Sequence, residues 1–177
     1  MSKGSGIDVK KFKPMIVYTI YIAATPEQIW KALTTADFSR NYFSGFAIEA
    51  DLKVGGAFIA RAPDGSEHIS GEVIECDPPK RLTITWNVNW PGLVEKLGPT
   101  LVTYEIEEAG DVVKLTMLQS HDRDISDDIL SGGRAGWPAI LSSLKSLLET
   151  GHALAIKMQP PERMLKALKE MGIGTPK

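Results

Sequence analysis

The chain has 177 residues, 43% of them hydrophobic, which suits one domain able to bury its own core without metals or disulfides. Twenty Lys and Arg against 22 Asp and Glu leave a net charge of −2, so charge favours neither nucleic acid nor an anionic membrane as partner. The single cysteine, Cys76, excludes an internal disulfide and a paired thiolate metal site, and fits a small strand residue in a reducing compartment.

Met1 to Lys13 is polar and carries Gly and Ser, so residues 1–13 read as a flexible leader. It lacks the apolar run of a signal peptide, and no window reaches the length of a membrane span; a cytoplasmic location is expected. From Met15 to Ile22, Ile16, Tyr18, Ile20 and Ile22 alternate with Val17, Thr19 and Tyr21, which predicts a first strand. Thr25-Pro26-Glu27-Gln28 then starts a helix, with Thr25 as N-cap, Pro26 in the first turn and Gln28 closing a capping box. Ile29, Trp30 and Leu33 form its apolar face. A second short helix is predicted over Asp37 to Phe43.

After Gly45 the pattern changes to strands joined by tight turns. Strands are expected over 46–50, 57–61 and 68–76, with Gly71 as a weak point or bulge. Arg81 to Trp90 alternates as one strand, with Leu82, Ile84, Trp86, Val88 and Trp90 on one face. A loop over 91–99, with a turn of helix at Leu93 to Leu97, leads to strands over 100–107 and 112–120. An acidic stretch, His121 to Asp128, follows.

The longest apolar stripe comes next. Trp137, Ile140, Leu141, Leu144, Leu147 and Leu148 recur at helical spacing, opposite Ser142, Ser143, Lys145, Ser146 and Glu149. Pro138 is placed in the first turn of this helix, because an interior proline breaks the hydrogen-bond ladder. Gly132-Gly133 then reads as a hinge before the helix, and Gly151 as its stop. A last short helix is expected over Pro161 to Met171. A strand, two short helices, a meander of about six strands and one long helix make an α+β architecture. The expected form is a curved antiparallel sheet of six to seven strands wrapped around the long helix, with a cavity between them.

Several stretches resemble the START-related SRPBCC superfamily, and within it the branch named after the activator of the heat-shock-protein-90 ATPase. They are Ala24-Thr25-Pro26-Glu27-Gln28-Ile29-Trp30, Leu52-Lys53-Val54-Gly55-Gly56-Ala57-Phe58, the run from Gly71 to Leu82, Thr85-Trp86, and the Gly136-Trp137…Leu141…Leu144…Leu148-Glu149 helix. The resemblance covers roughly Ile16 to Leu154, and its motifs occur in the family's order. It implies the helix-grip (START/Bet v-like) fold, with a domain over 14–158 and a C-terminal extension over 159–177. One position departs from the pattern. Where such proteins commonly read Leu-Thr-Leu-Thr-His, this chain reads Leu115-Thr116-Met117-Leu118-Gln119, so the histidine's role does not carry over.

Strand and helix phase turn Phe58, Trp86, Tyr104, Met117 and Trp137 toward the expected cavity. Each alone is more often a core residue than a pocket wall. With Gln119 and Leu141 they form the candidate ligand-binding set, and Tyr104 and Trp86 offer polar handles. Arg61 shares a face with Ile59, and Glu72 with Ile74 and Cys76. Each is either a polar group inside the grip or a side chain exposed at a strand end; the exposed reading leads for Arg61, and the two balance for Glu72. No catalytic set is complete; Glu72 and His121 are the candidate acid–base groups, but the stretch from His121 to Asp124 looks more like a solvated loop than a dyad, although His121 could pair with Asp122 or Asp124. His68, His121 and His152 lack metal-ligand spacing, so neither metal nor cofactor is expected.

Three functions compete. The leading one is non-catalytic binding of a hydrophobic or amphipathic small molecule by a monomer or homodimer. A polyketide cyclase or hydratase-like enzyme would use the same cavity and a buried acid or base. A chaperone-ATPase regulator follows from the family name alone and ranks third.

Overall fold

The computed structural model describes residues 6–175. Residues 1–5 of the expected leader lie outside the described residues, and Val9–Lys11 form a short 3-10 helix. Strand β1 (Lys13–Ile22) begins earlier than its apolar alternation suggests, because Lys13 already pairs with His121. Helices α1 (Pro26–Thr34) and α2 (Ala36–Tyr42) follow. The capping box at α1 is complete: Gln28 N–H donates to Thr25 Oγ1 at 3.2 Å, and Thr25 N–H to Gln28 Oε1 at 2.9 Å. The meander comprises β2 (Ala47–Ala50), β3 (Ala57–Arg61), β4 (Glu67–Asp77), β5 (Arg81–Thr85), β6 (Asn87–Val88), β7 (Thr100–Ala109) and β8 (Val112–His121), with α3 (Leu93–Leu97) between β6 and β7. Helices α4 (Asp127–Thr150) and α5 (Glu162–Glu170) end the chain.

All pairings are antiparallel, in the order β1-β8-β7-β5-β4-β3-β2. The seven strands of this path agree with the six or seven expected, and β6 adds a short side pairing to β4. The sheet is curved and does not close on itself. Its inner face carries Ile16, Ile22, Phe58, Ala60, Val73, Leu82, Ile84, Val102, Tyr104, Val113, Leu115 and Met117, all buried. Leu130, Trp137, Leu141 and Leu144 of α4 join them in one core. The grip architecture is therefore present.

Two local expectations need correction. The alternation from Arg81 to Trp90 is not one strand: β5 pairs with β7 only as far as Thr85, and Asn87-Val88 pair instead with Ser70 and Ile69 of β4. Trp86 sits at the switch between partners. Alternation records which way side chains point, and it is blind to a change of neighbouring strand.

The second correction concerns α4. It starts at Asp127, with Ser126 as N-cap, and Pro138 lies in its interior rather than its first turn. Gly132, Gly133 and Gly136 are helical too. Each glycine costs about 1 kcal/mol against alanine, and an interior proline about 3 kcal/mol. Burial of Leu130, Trp137, Leu141 and Leu144 against the sheet overrides that local cost.

The C-terminal segment packs onto the same unit. Met164, Leu168 and Ile173 form a second buried cluster with Trp90, Leu93, Leu97, Ile129 and Leu165. The Lys96 ammonium reaches the Met171 carbonyl across this contact.

Candidate functional site

A cavity of about 650 Å³ lies between the first half of α4, the ends of the central strands, α3 and the C-terminal segment. Its helical wall includes Ile129, Gly132, Gly133, Gly136 and Ile140, which share one face of α4, with Ala135, Trp137 and Ala139 beside them. Where an amphipathic helix ordinarily carries large apolar side chains, the middle of this face is bare. A Cβ on Gly133 would stand 2.7 Å from Gln119 Oε1 and from Ile16 Cδ1, and one on Gly132 would collide with Met164 Sδ. Those two glycines let β8 and α5 approach the helix. A Cβ on Gly136 would meet nothing within 4 Å. The open volume lies beside Gly136, where a side chain would otherwise project.

Beside the glycines stands a cluster of tilted aromatic rings. Trp86 lies 5.2 Å from Trp137, 5.8 Å from Phe43 and 5.9 Å from Phe58, between ring centroids. Tyr104 meets Trp137 edge-on at 6.3 Å. Such tilted and edge-on contacts favour the ring quadrupoles and hold the wall in one arrangement.

A short polar relay runs along the end of β8. Trp137 Nε1–H donates to Gln119 Oε1 at 2.8 Å, and Gln119 Nε2 stands 3.0 Å from His121 Nε2. Indole is only a donor, so it fixes the amide with its oxygen toward Trp137 and its NH2 toward His121. His121 Nε2 must then accept, which leaves the proton on Nδ1. Nδ1 is buried and has no partner among the described residues. Burial holds the His121 pKa below its usual value, and the neighbouring Asp122 carboxylate only partly offsets this. The alternative pairing with Asp122 does not form: Asp122 accepts from Arg123 at 2.8 and 3.2 Å. Among the described residues, no three His, Cys, Asp or Glu side chains are placed to hold a metal.

The predicted site residues divide into three groups. Trp86, Gln119, His121 and Trp137 line the cavity. Phe58, Tyr104, Met117 and Leu141 are buried beneath its wall, packed in the core rather than lining the space. Burial also pushes the Tyr104 hydroxyl far above its ordinary pKa, so it stays neutral. Arg61 and Glu72 are not brought to the cavity. The Arg61 guanidinium pairs with Glu49 at 3.1 Å and Glu67 at 3.3 Å. Glu72 alternates with the fully buried Val73, which puts its side chain on the other face of β4.

Sequence reasoning placed His121 in a loop and missed one part of the wall altogether. His121 continues the parity of Val113, Leu115, Met117 and Gln119, so one more step of the alternation would have placed it inside rather than in a loop. Ile156 to Pro161, Met164 and Leu168 form another wall. No local pattern marks an extended segment as a neighbour of the sheet.

The model of the family described as Activator of Hsp90 ATPase homolog 1-like protein matches residues 23–149. The chain belongs to this family. The matched span of this AHSA1-like protein ends in the last turn of α4, so the C-terminal wall of the cavity lies beyond it. Similar solved structures include CalU16 from Micromonospora echinospora, at 22% identity and TM-score 0.61, covering 88% of this chain and 82% of that one. An Aha1 dimer from Colwellia psychrerythraea is similar at 24% identity and TM-score 0.63, covering 77% and 96%. Protein MLL2253 from Mesorhizobium loti is similar at 26% identity and TM-score 0.61, covering 75% and 96%. No curated protein matches the chain. None of the helices among the described residues is long and apolar enough to cross a membrane.

Proposed function

We propose that this AHSA1-like protein binds a hydrophobic or amphipathic small molecule in the cavity between the sheet and α4. The observation that carries the reading is the bare face of the helix. Gly132 and Gly133 carry no side chain because Met164, Gln119 and Ile16 occupy that space, Gly136 faces open space, and about 650 Å³ lies beside Trp86 and Trp137. That volume suits a drug-sized ligand, and a mostly apolar lining with a few fixed polar groups is what such sites use. The fold shared with the similar structures supports the location and leaves the ligand open.

The test fills the space without disturbing the backbone. Gly136→Trp places a large side chain where a Cβ meets nothing, so the fold should persist by circular dichroism. Titration with the neutral fluorophore N-phenyl-1-naphthylamine should show binding to the parent protein and at least about ten-fold weaker binding to the variant. Equal binding by both would reject the cavity as the site.

A further inference from the structure

The charged groups around the cavity are one-sided. The chain carries 22 acidic residues, more than its basic ones, yet among the described residues none of them lines the cavity. The exclusion is local as well as general. Glu95, Asp122, Asp128 and Glu162 are the immediate chain neighbours of the lining residues Val94, His121, Ile129 and Pro161, and all four stay out of the wall. Lys157, on the segment between α4 and α5, is the one lining residue with a permanent charge, and no carboxylate pairs with it among the described residues.

The uncommitted hydrogen-bonding atoms lean the same way. Trp90 Nε1–H and His121 Nδ1–H belong to lining rings, are buried, and have no partner among the described residues. A buried donor left unpaired costs about 1–3 kcal/mol, which an acceptor brought by a ligand would relieve. Of the three lining amides, Asn87, Gln119 and Gln159, two are committed on their acceptor side: Gln119 Oε1 takes the Trp137 indole, and Asn87 Oδ1 takes the Thr100 amide. Asn87 Nδ2 has no partner among the described residues. The other ionisable lining group, His68, is kept neutral by burial, which lowers its pKa. An ammonium head would find no counter-charge here; an oxyanion would find a lysine and several unused N–H groups.

We propose that the ligand is an amphipathic anion of the carboxylate class, its apolar body against the Trp86–Trp137 wall and its head served by Lys157 and the unpartnered N–H donors. This rests on the cavity being the binding site, and it adds the chemistry of the head. The cation comes from the segment beyond the family match, so the match alone does not specify it.

Three ligands with one tail separate the head from the body: dodecanoate, dodecanol and dodecylammonium, each displacing N-phenyl-1-naphthylamine at low ionic strength and pH 7.5. Dodecanoate should displace the fluorophore at about ten-fold lower concentration than either of the others, the scale of a hydrogen-bonded charge. Lys157 is exposed and without a carboxylate partner, so Lys157→Glu should leave the fold intact. It should remove the preference or turn it toward dodecylammonium. Equal displacement by the three in the parent protein, or a preference unchanged in Lys157→Glu, would overturn the head assignment while leaving the cavity standing. Fluorophore binding that survives Gly136→Trp would remove the cavity itself, and this proposal with it.

Discussion

Trp137 Nε1–H donates to Gln119 Oε1 at 2.8 Å, joining the middle of α4 to the end of β8 across the cavity edge. Trp137 is 4% exposed, so its indole donor has little access to bulk water. Gln119→Leu should therefore cost about 1–3 kcal/mol through the orphaned indole donor. A urea unfolding series on parent and variant measures it. A loss below about half a kcal/mol, against an uncertainty of that order in such a comparison, would mean the contact is not formed in solution.

The same relay sets a pH dependence. Burial depresses the folded-state pKa of His121, and of His68, below the unfolded value of about 6.5. A depressed histidine binds its proton more weakly when folded than when unfolded. Its contribution is thus complete above the unfolded pKa and is lost as pH falls toward the folded one. Stability should decline from pH 7.5 to pH 5.5, and His121→Asn should shrink the decline without abolishing it, because His68 remains. Urea midpoints at the two pH values decide the matter; an equal decline in His121→Asn would show that His121 does not titrate in this way.

Two glycines three residues apart should respond to alanine with opposite signs. At Gly133 the new methyl would press on Gln119 Oε1 and Ile16 Cδ1, and the Trp137 bond keeps Gln119 from yielding. Gly133→Ala should destabilise by about 1–3 kcal/mol. At Gly136 the methyl meets nothing, so the helix gains about 0.5–1 kcal/mol from the better propensity of alanine. Thermal unfolding of both variants gives the signs directly, and the same sign for both would reject the placement of this helix face.

Much of the fold was legible in the sequence because its signals are local. Thr25 and Gln28 cap each other within one turn, and the alternations at Ile16–Ile22 and Val113–Met117 need only neighbours two residues apart. Trp86 and Trp137 reached the cavity from the same kind of phase argument. What the tertiary structure alone decided is where local preference loses. Gly132, Gly133, Gly136 and Pro138 argue against a helix, yet they lie within one, because the sheet holds Leu130, Trp137, Leu141 and Leu144 more strongly than propensity resists. The break at Trp86 depends on which strand lies alongside, and the wall from Ile156 to Leu168 on contacts with residues far back in the chain. Residue order encodes the direction of each side chain along its own element; the empty space beside Gly136 exists only once helix, sheet and C-terminal segment have met around it.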